Sequence, residues 1–384
     1  MNEESLKTLG LDEAVRLIAT MVNNGNMDQA VALSEQLRVA APDHPDILYV
    51  SAGICWKAGD PDQAIAIQKR LVAVQSGAAT HHERLIYFLR ETGDISGALA
   101  ATQTGVRECP SNPTLINACG MLQLNTGDLQ GSHQTFEKAI QLFPENLTAH
   151  QNLSLVLLAE GRAEDAVNAF SRGVTPLEPV KLRANNQEQK HLSKTYDGLA
   201  ECYDTNDLQR SWGQQTAQVI RKAIGQGNLG DVLDLCCGTG SVGAAITAQA
   251  NHLTGIDLSP GMLDKAKARN VYDELIVADI NTALLSIKRS FLTVTCSVAL
   301  YHWADLGPFF YAAARVLAPG GHLIFSVDPV NDELDIGQSA PGEYAHSRAY
   351  IRRVTADAGL REISITIDAH RAYPGFWCVF QRPA

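Results

Sequence analysis

The chain has 384 residues, 45% of them hydrophobic, enough for two or three domains that each bury a core. Its formal charge is −11: residues 1–180 hold 12 Lys plus Arg against 21 Asp plus Glu, a net of −9, which leaves −2 for the remainder. This balance lacks the broad basic footprint that nucleic acid phosphates demand; no apolar run reaches bilayer-spanning length, and the start Met1-Asn2-Glu3-Glu4 lacks the basic-then-apolar pattern of a secretion signal.

The eight cysteines are scattered, with Cys236 and Cys237 adjacent, and none form a CxxC pair. Neither a zinc site nor a disulfide framework is indicated, so no metal and a reducing, cytoplasmic setting are expected.

The first half repeats. Glycines fall at Gly25, Gly59, Gly93, Gly127 and Gly161, each 34 residues after the last. Five positions after each stands a small residue: Ala30, Ala64, Ala98, Ser132 and Ala166. Pro42, Pro110 and Pro144 follow the first, third and fourth glycines by seventeen. This is the pattern of a helical hairpin. Glycine serves the left-handed turn between two helices, the small residue admits close packing, and proline stops the second helix. Ala149, Leu153, Val156 and Leu157 show the helical apolar spacing ahead of Gly161.

The period and these positions resemble the tetratricopeptide repeat, about five copies over residues 11–180. The family's bulky aromatic early in the first helix is missing, and only Phe136 and Phe170 fill the aromatic position of the second helix. The resemblance implies a concave surface for a peptide, a protein or another subunit; packing and homo-oligomerisation are the plainer uses. If acids line that surface, it should attract a basic partner segment. Gly173, Pro176, Pro179 and the polar run Asn185–Lys190 mark a linker at 181–190. The expected division is therefore a helical-repeat domain over 1–180 and a second domain over 181–384.

From Asp231 short apolar runs alternate with helical segments, at 232–236, 253–256, 275–277, 292–296 and 322–327. Such alternation predicts a mostly parallel sheet with helices on both faces, whose ligands bind at the carboxyl ends of the strands. The first run leads into Asp234-Leu235-Cys236-Cys237-Gly238-Thr239-Gly240-Ser241-Val242-Gly243. Gly238 and Gly240 let the backbone turn sharply against a ligand. The glycines alone also satisfy a dinucleotide fingerprint. The acids argue otherwise. Asp234 lies inside the strand, where it can accept from a cationic ligand or its water shell. Asp257 ends the second strand, 19 residues after Gly238, where a carboxylate can take both hydroxyls of a ribose. Asp279 ends the third strand and can accept from an adenine amino group.

Residues 231–280 resemble class I S-adenosylmethionine methyltransferases, a seven-stranded Rossmann-like fold. The resemblance rests on Asp234-x-x-x-Gly238-x-Gly240, Gly255-Ile256-Asp257-Leu258-Ser259-x-x-Met262-Leu263, Ala278-Asp279 and Val316-Leu317-Ala318-Pro319-Gly320-Gly321, and extends over roughly 195–384. It implies that Asp234, Gly238 and Gly240 border the methionine part of S-adenosylmethionine. Asp257 would hold the ribose, Leu258 and Met262 would flank adenine, and Asp279 would bind its amino group. Cys236, Ile280 and Ser297 adjoin these motifs as further cofactor candidates.

For the acceptor, Ser297-Val298-Ala299-Leu300-Tyr301-His302-Trp303 follows the fourth strand, with His302 a candidate base and Tyr301 and Trp303 shaping the pocket. Tyr196 and Tyr203 would share a face of a helix over 192–203 that covers the site. Gly342–Tyr350 resembles a segment of predicted methyltransferases carrying these repeats, with His346 and Arg348 as polar candidates. The expected function is methyl transfer from S-adenosylmethionine, leaving S-adenosylhomocysteine, to an acceptor recruited by the repeats. The alternatives are a small-molecule methyltransferase with oligomerising repeats, a non-catalytic S-adenosylmethionine-binding scaffold, and a nicotinamide-dependent oxidoreductase.

Overall fold

The computed structural model describes residues 11–177, 186–205, 207–225, 227–371 and 373–384. The chain forms two compact units, divided between Glu145 and Asn146.

Among the described residues the first unit is four helical hairpins: α1 (Leu11–Asn23) with α2 (Met27–Ala40), α3 (Pro45–Lys57) with α4 (Pro61–Val74), α5 (Ala79–Glu91) with α6 (Ile95–Glu108), and α7 (Pro113–Asn125) with α8 (Leu129–Leu142). The recurring glycines make the turns within the hairpins; Gly59 and Gly127 both hold φ +83°, in the left-handed region that glycine tolerates best. Asp60, Asp94 and Asp128 then cap the second helices, accepting from the backbone N–H three residues on at 2.8–3.0 Å. Ala30, Ala64, Ala98 and Ser132 are wholly buried, so the two helices of each hairpin meet at small residues. Phe136 fills the space above Gly120, where even a methyl group would collide with its ring.

The acids are not gathered on the first helices. Together α1, α3, α5 and α7 carry five acids and four bases, a net of −1. Much of the excess lies in the turns, where Asp60, Asp94 and Asp128 are occupied as caps.

The second unit opens with the fifth hairpin, α9 (Leu147–Ala159) and α10 (Ala163–Arg172), followed by the short strand β1 (Thr175–Pro176). Of the expected linker at 181–190, residues 181–185 lie outside the described residues and 186–190 already belong to a helix. The chain resumes at α11 (Asn186–Leu199) and α12 (Asp207–Ile224). Then come β2 (Gly230–Leu235), α13 (Ser241–Ile246), β3 (Ala250–Asp257), α14 (Pro260–Ala268), β4 (Glu274–Val277), α15 (Ile280–Ser286), β5 (Phe291–Cys296), α16 (Gly307–Val316) and β6 (Leu317–Val330). β7 (Ile336–Ala340), β8 (Glu343–Ser347), α17 (Arg348–Asp357), β9 (Arg361–His370) and β10 (Tyr373–Gln381) complete it.

The main sheet runs β4-β3-β2-β5-β6-β10-β9. Its first five strands are parallel, while β10 pairs antiparallel with both β6 and β9. Leu233, Leu235, Val294, Leu323 and Phe325 are wholly buried, as strands covered on both faces require. The Leu317–Gly321 segment, expected to precede the fifth strand, is already strand; Leu317 pairs with Phe291, and the register then shifts.

Three further strands extend the sheet beyond the seven expected. The end of β6 pairs with β8, β8 with β7, and β7 with β1. This extension packs on the fifth hairpin. Phe170, Val174, Val330 and Ala345 share one apolar cluster, and Val167 belongs to the main core. Ser171 Oγ accepts from the Asn331 N–H at 2.8 Å, and Gln151 donates to the Ser339 carbonyl at 3.2 Å. Among the described residues no helix is long and apolar enough to cross a membrane.

Candidate active site

The carboxyl ends of β2, β3, β4 and β5 open onto one cleft, where ligands of such sheets bind. Cys236 and Gly238 enter it from the loop after β2, and Asp257, Leu258, Ser259 and Met262 from β3 and α14. Asp279 and Ile280 follow β4; Val298, Ala299, His302 and Trp303 follow β5. Leu192, Ser193 and Tyr196 of α11, with Tyr203 beyond it, line the remaining side.

The backbone is strained here. Gly238 holds φ +54°, and a Cβ added to it would meet nothing within 4 Å, so it borders open space that any side chain would enter. Cys236 at φ +53° and Val298 at φ +55° hold the left-handed conformation without being glycine. For a β-branched residue that is a genuine outlier, maintained only where surroundings over-determine it. The Val298 N–H is held by the buried Ser326 hydroxyl at 2.8 Å.

Three carboxylates mark the strand ends, and each is set differently. Asp257 accepts from the Gly238 N–H at 2.8 Å through one oxygen and from the Ser259 N–H at 2.9 Å through the other. It thereby ties together the loops after β2 and β3. A carboxylate offers about four lone-pair sites, so each oxygen can accept again from a ligand. Burial raises its pKa, against the amides that lower it. Asp279 caps α15, its Oδ1 accepting from the Thr282 N–H at 3.0 Å and the Thr282 hydroxyl at 3.1 Å.

Asp234 is 1% exposed. It accepts from the Tyr272 and Thr295 hydroxyls, both at 2.7 Å. Burial pushes its pKa up to about 6 even so. The Tyr272 ring covers Gly240, Gly243 and Gly255, where any Cβ would strike it. Those three glycines are needed for packing around one tyrosine.

α11 lies over the cleft because its polar residues grip α14. Asp197 accepts from the Ser259 hydroxyl at 2.6 Å and the Gly261 N–H at 3.0 Å, bonds that lower its pKa. Ser193 donates to the Leu258 carbonyl at 3.2 Å. Between these two grips the Tyr196 hydroxyl stands 3.0 Å from the Tyr301 hydroxyl and 3.0 Å from His302 Nε2. Burial, then the nearby Arg371, pulls the His302 pKa down to about 4, so its imidazole is neutral at neutral pH. Tyr196 and Tyr203 do not share a helix as expected. α11 stops at Leu199, and a separate 3₁₀ turn at Tyr203–Thr205 brings the two rings to 6.2 Å.

Of the residues singled out from sequence, Asp234, Gly240, Ser297, Tyr301, His346 and Arg348 do not line the cleft. Ser297 bonds to the Thr216 hydroxyl at 3.0 Å, and Tyr301 is buried behind Tyr196. His346 is fully buried, with Nε2 on the Ala304 carbonyl at 3.0 Å. Arg348 pairs with both oxygens of Glu164 on α10 at 2.9 Å. These two hold the sheet extension to its neighbours. Leu192 and Ser193 were not singled out from sequence; Ser259, Val298 and Ala299 stood within the quoted motifs without a role of their own, although Ser259 carries an N-cap signal before Pro260.

Residues 232–321 match the family of methyltransferase domains, and residues 22–79, 56–113 and 119–178 match the tetratricopeptide repeat. The chain carries a methyltransferase domain behind tetratricopeptide repeats. Methyltransferase domains of this kind take their methyl group from S-adenosylmethionine. A malonyl-acyl-carrier-protein O-methyltransferase of Yersinia pestis is 30% identical over 156 residues, 40% of this chain and 56% of that one. A demethylmenaquinone methyltransferase of Clavibacter sepedonicus is 32% identical over 162 residues, 39% of this chain and 64% of that one. The chain thus spans less than two thirds of these curated relatives. The solved magnesium protoporphyrin IX methyltransferase of Synechocystis PCC 6803 is 18% identical, with coverage of 52% of this chain and 99% of that one and a TM-score of 0.42.

The residues present fit an adenosyl cofactor. Asp257 keeps lone pairs for a ribose diol, Leu258, Met262 and Ile280 offer apolar faces for a flat base, and the bare backbone at Gly238 leaves room for close approach.

Proposed function

We propose that this protein transfers a methyl group from S-adenosylmethionine to an acceptor held between α11 and the segment after β5. The observation that carries this reading is the placement of Asp257. Its half-buried carboxylate lines the cleft beside Gly238 and Leu258, with Tyr196 and His302 lining the same space. Asp257 would hold the ribose and Asp279 the adenine edge; Gly238 and Cys236 would border the methionine part. Asp234 lies beneath that part without lining the cleft, and its charge would act on the donor's cation from there. The methyl donor arrives activated, so the protein's task is to align acceptor and sulfonium and to exclude water. Tyr196 and His302 offer a hydroxyl and a neutral imidazole to the acceptor atom.

The cleft is lined by the aromatic rings of Tyr196, Tyr203 and Trp303, which we read as a space too confined for a folded protein surface. A small reactive group on a long arm reconciles that confinement with a repeat domain of a kind that mediates protein interactions. The acceptor we favour is therefore carrier-bound, with the repeats recruiting the carrier. The Yersinia relative, named for a carrier-bound malonyl group, supports this choice. A free small molecule, with the repeats serving assembly, is the second reading, and the Clavibacter relative supports it.

Calorimetric titration with S-adenosylmethionine and S-adenosylhomocysteine tests the cofactor site. Both should bind, and Asp257→Ala should weaken binding by about 1–3 kcal/mol, the worth of a charged acceptor. Unchanged affinity in that variant would remove the ribose assignment. Comparable binding of NADH would favour an oxidoreductase.

A further inference from the structure

A charged cluster that no sequence motif announces lies against the acceptor end. Asp328 of β6 is 2% exposed and accepts from His370 Nδ1 at 2.8 Å and from Arg371 at 3.3 Å. The other terminal nitrogen of Arg371 donates to Glu343, at the start of β8, at 2.7 Å. The guanidinium carbon sits 3.9 Å from the centre of the Tyr301 ring. Arg371 itself holds φ +59° in the turn between β9 and β10. An L-residue keeps that conformation only where its contacts enforce it.

The consequence is geometric. One carboxylate would neutralise a guanidinium; two, from separate strands, also fix its plane. The fixed plane covers Tyr301, whose hydroxyl stands 3.0 Å from that of Tyr196, which is 3.0 Å from His302 Nε2. Only Tyr196 and His302 of this set line the cleft. We propose that Arg371 is a positioning residue: clamped by Asp328 and Glu343, it stacks on Tyr301 and, through the Tyr301 hydroxyl, sets the orientation of Tyr196 and His302. That this end of the cleft takes the acceptor rests on the methyl-transfer reading; the coupling from Arg371 to His302 does not.

The groups that face His302 are Tyr196 from α11, the adjoining Tyr301, Arg371, Asp328 from β6, and the Gly342 carbonyl from the turn between β7 and β8. The test uses the intact chain with isotope-labelled histidine, the His302 resonances being identified by their loss in His302→Gln. In the wild type His302 should stay neutral down to about pH 4. Arg371→Met should raise its titration midpoint by at least about one pH unit, since a cation goes while both carboxylates stay. It should also shift the Nε2 resonance at neutral pH as Tyr196 reorients. Arg371→Lys should keep the midpoint near that of the wild type but still shift Nε2, because an ammonium carries the charge without the planar stack. Tyr301→Phe keeps the clamp, removes the hydroxyl link, and should also shift Nε2. A folded Arg371→Met or Tyr301→Phe protein with an unmoved Nε2 resonance overturns the proposal. Where Arg371→Met fails to fold because it strands the buried Asp328 carboxylate, Tyr301→Phe alone decides. S-adenosylhomocysteine binding is measured alongside. Its absence in the wild type would sink the methyltransferase reading and leave the coupling from Arg371 to His302 untouched.

Discussion

Asp234→Asn removes a charge that the fold holds ionised at a cost. Both carboxylate oxygens are buried and, among the described residues, accept from the Tyr272 and Thr295 hydroxyls, which do not fully replace water. The pKa rises from an ordinary 3.8 to about 6. At about 1.4 kcal/mol per unit, the ionised form costs about 3 kcal/mol relative to the unfolded chain. With the folded value raised, the stability this group contributes is complete below about pH 4 and is lost as pH rises through about 6. Asparagine keeps the shape and drops the charge, though its amide must find an acceptor in place of the Tyr272 proton it once received. That offset leaves an expected gain of about 1–3 kcal/mol at pH 8. Near pH 4 the gain should vanish, because the wild-type carboxyl is then neutral too. Urea unfolding of the ligand-free protein at the two pH values reads this out. A variant no more stable than wild type at pH 8, or displaced equally at both, refutes the claim that desolvation dominates at Asp234. The same variant bears on function: if the charge serves the donor's cation, S-adenosylmethionine should lose more affinity than S-adenosylhomocysteine, which lacks the sulfonium.

A half-buried, neutral His302 lends stability that is complete above about pH 6.5 and lost as pH falls through about 4; His302→Gln should flatten that part of the melting-temperature profile. On the true acceptor the same variant should lower turnover while cofactor affinity stays within about twofold, because the proposal gives the ribose to Asp257 and the acceptor to His302. A fragment of residues 146–384 should unfold cooperatively and bind S-adenosylhomocysteine like the whole chain. One starting at 181 loses the buried Val167, Phe170 and Val174, about 5 kcal/mol or more at 1.5–3 per side chain, and should melt far lower by calorimetry. Asp128→Ala removes the cap bond to the Gly131 N–H and should cost about 1 kcal/mol in denaturant unfolding of the repeats without touching cofactor affinity.

The local chemistry of this chain was legible in its sequence. A glycine every 34 residues specifies left-handed turns wherever it stands, and those turns hold φ near +80°. Asp257 and Asp279 fall at strand ends because apolar runs stop there, and backbone topology alone gathers strand ends into one cleft. Tertiary packing decided the rest. Whether Asp234 meets a ligand or two hydroxyls depends on Tyr272, 38 residues away and unmarked by any pattern. His346 and Arg348 sit close together in a segment rich in polar residues, yet one is buried against a carbonyl and the other is spent on Glu164 of α10. The fifth repeat looks like the other four in sequence, but Val167 and Phe170 give it to the catalytic unit, because a sheet extension offers them an apolar surface. Arg371 has no signature at all. Its role follows from three strands that converge from Asp328, Glu343 and His370, and contacts between residues so far apart in the chain leave no trace in local spacing.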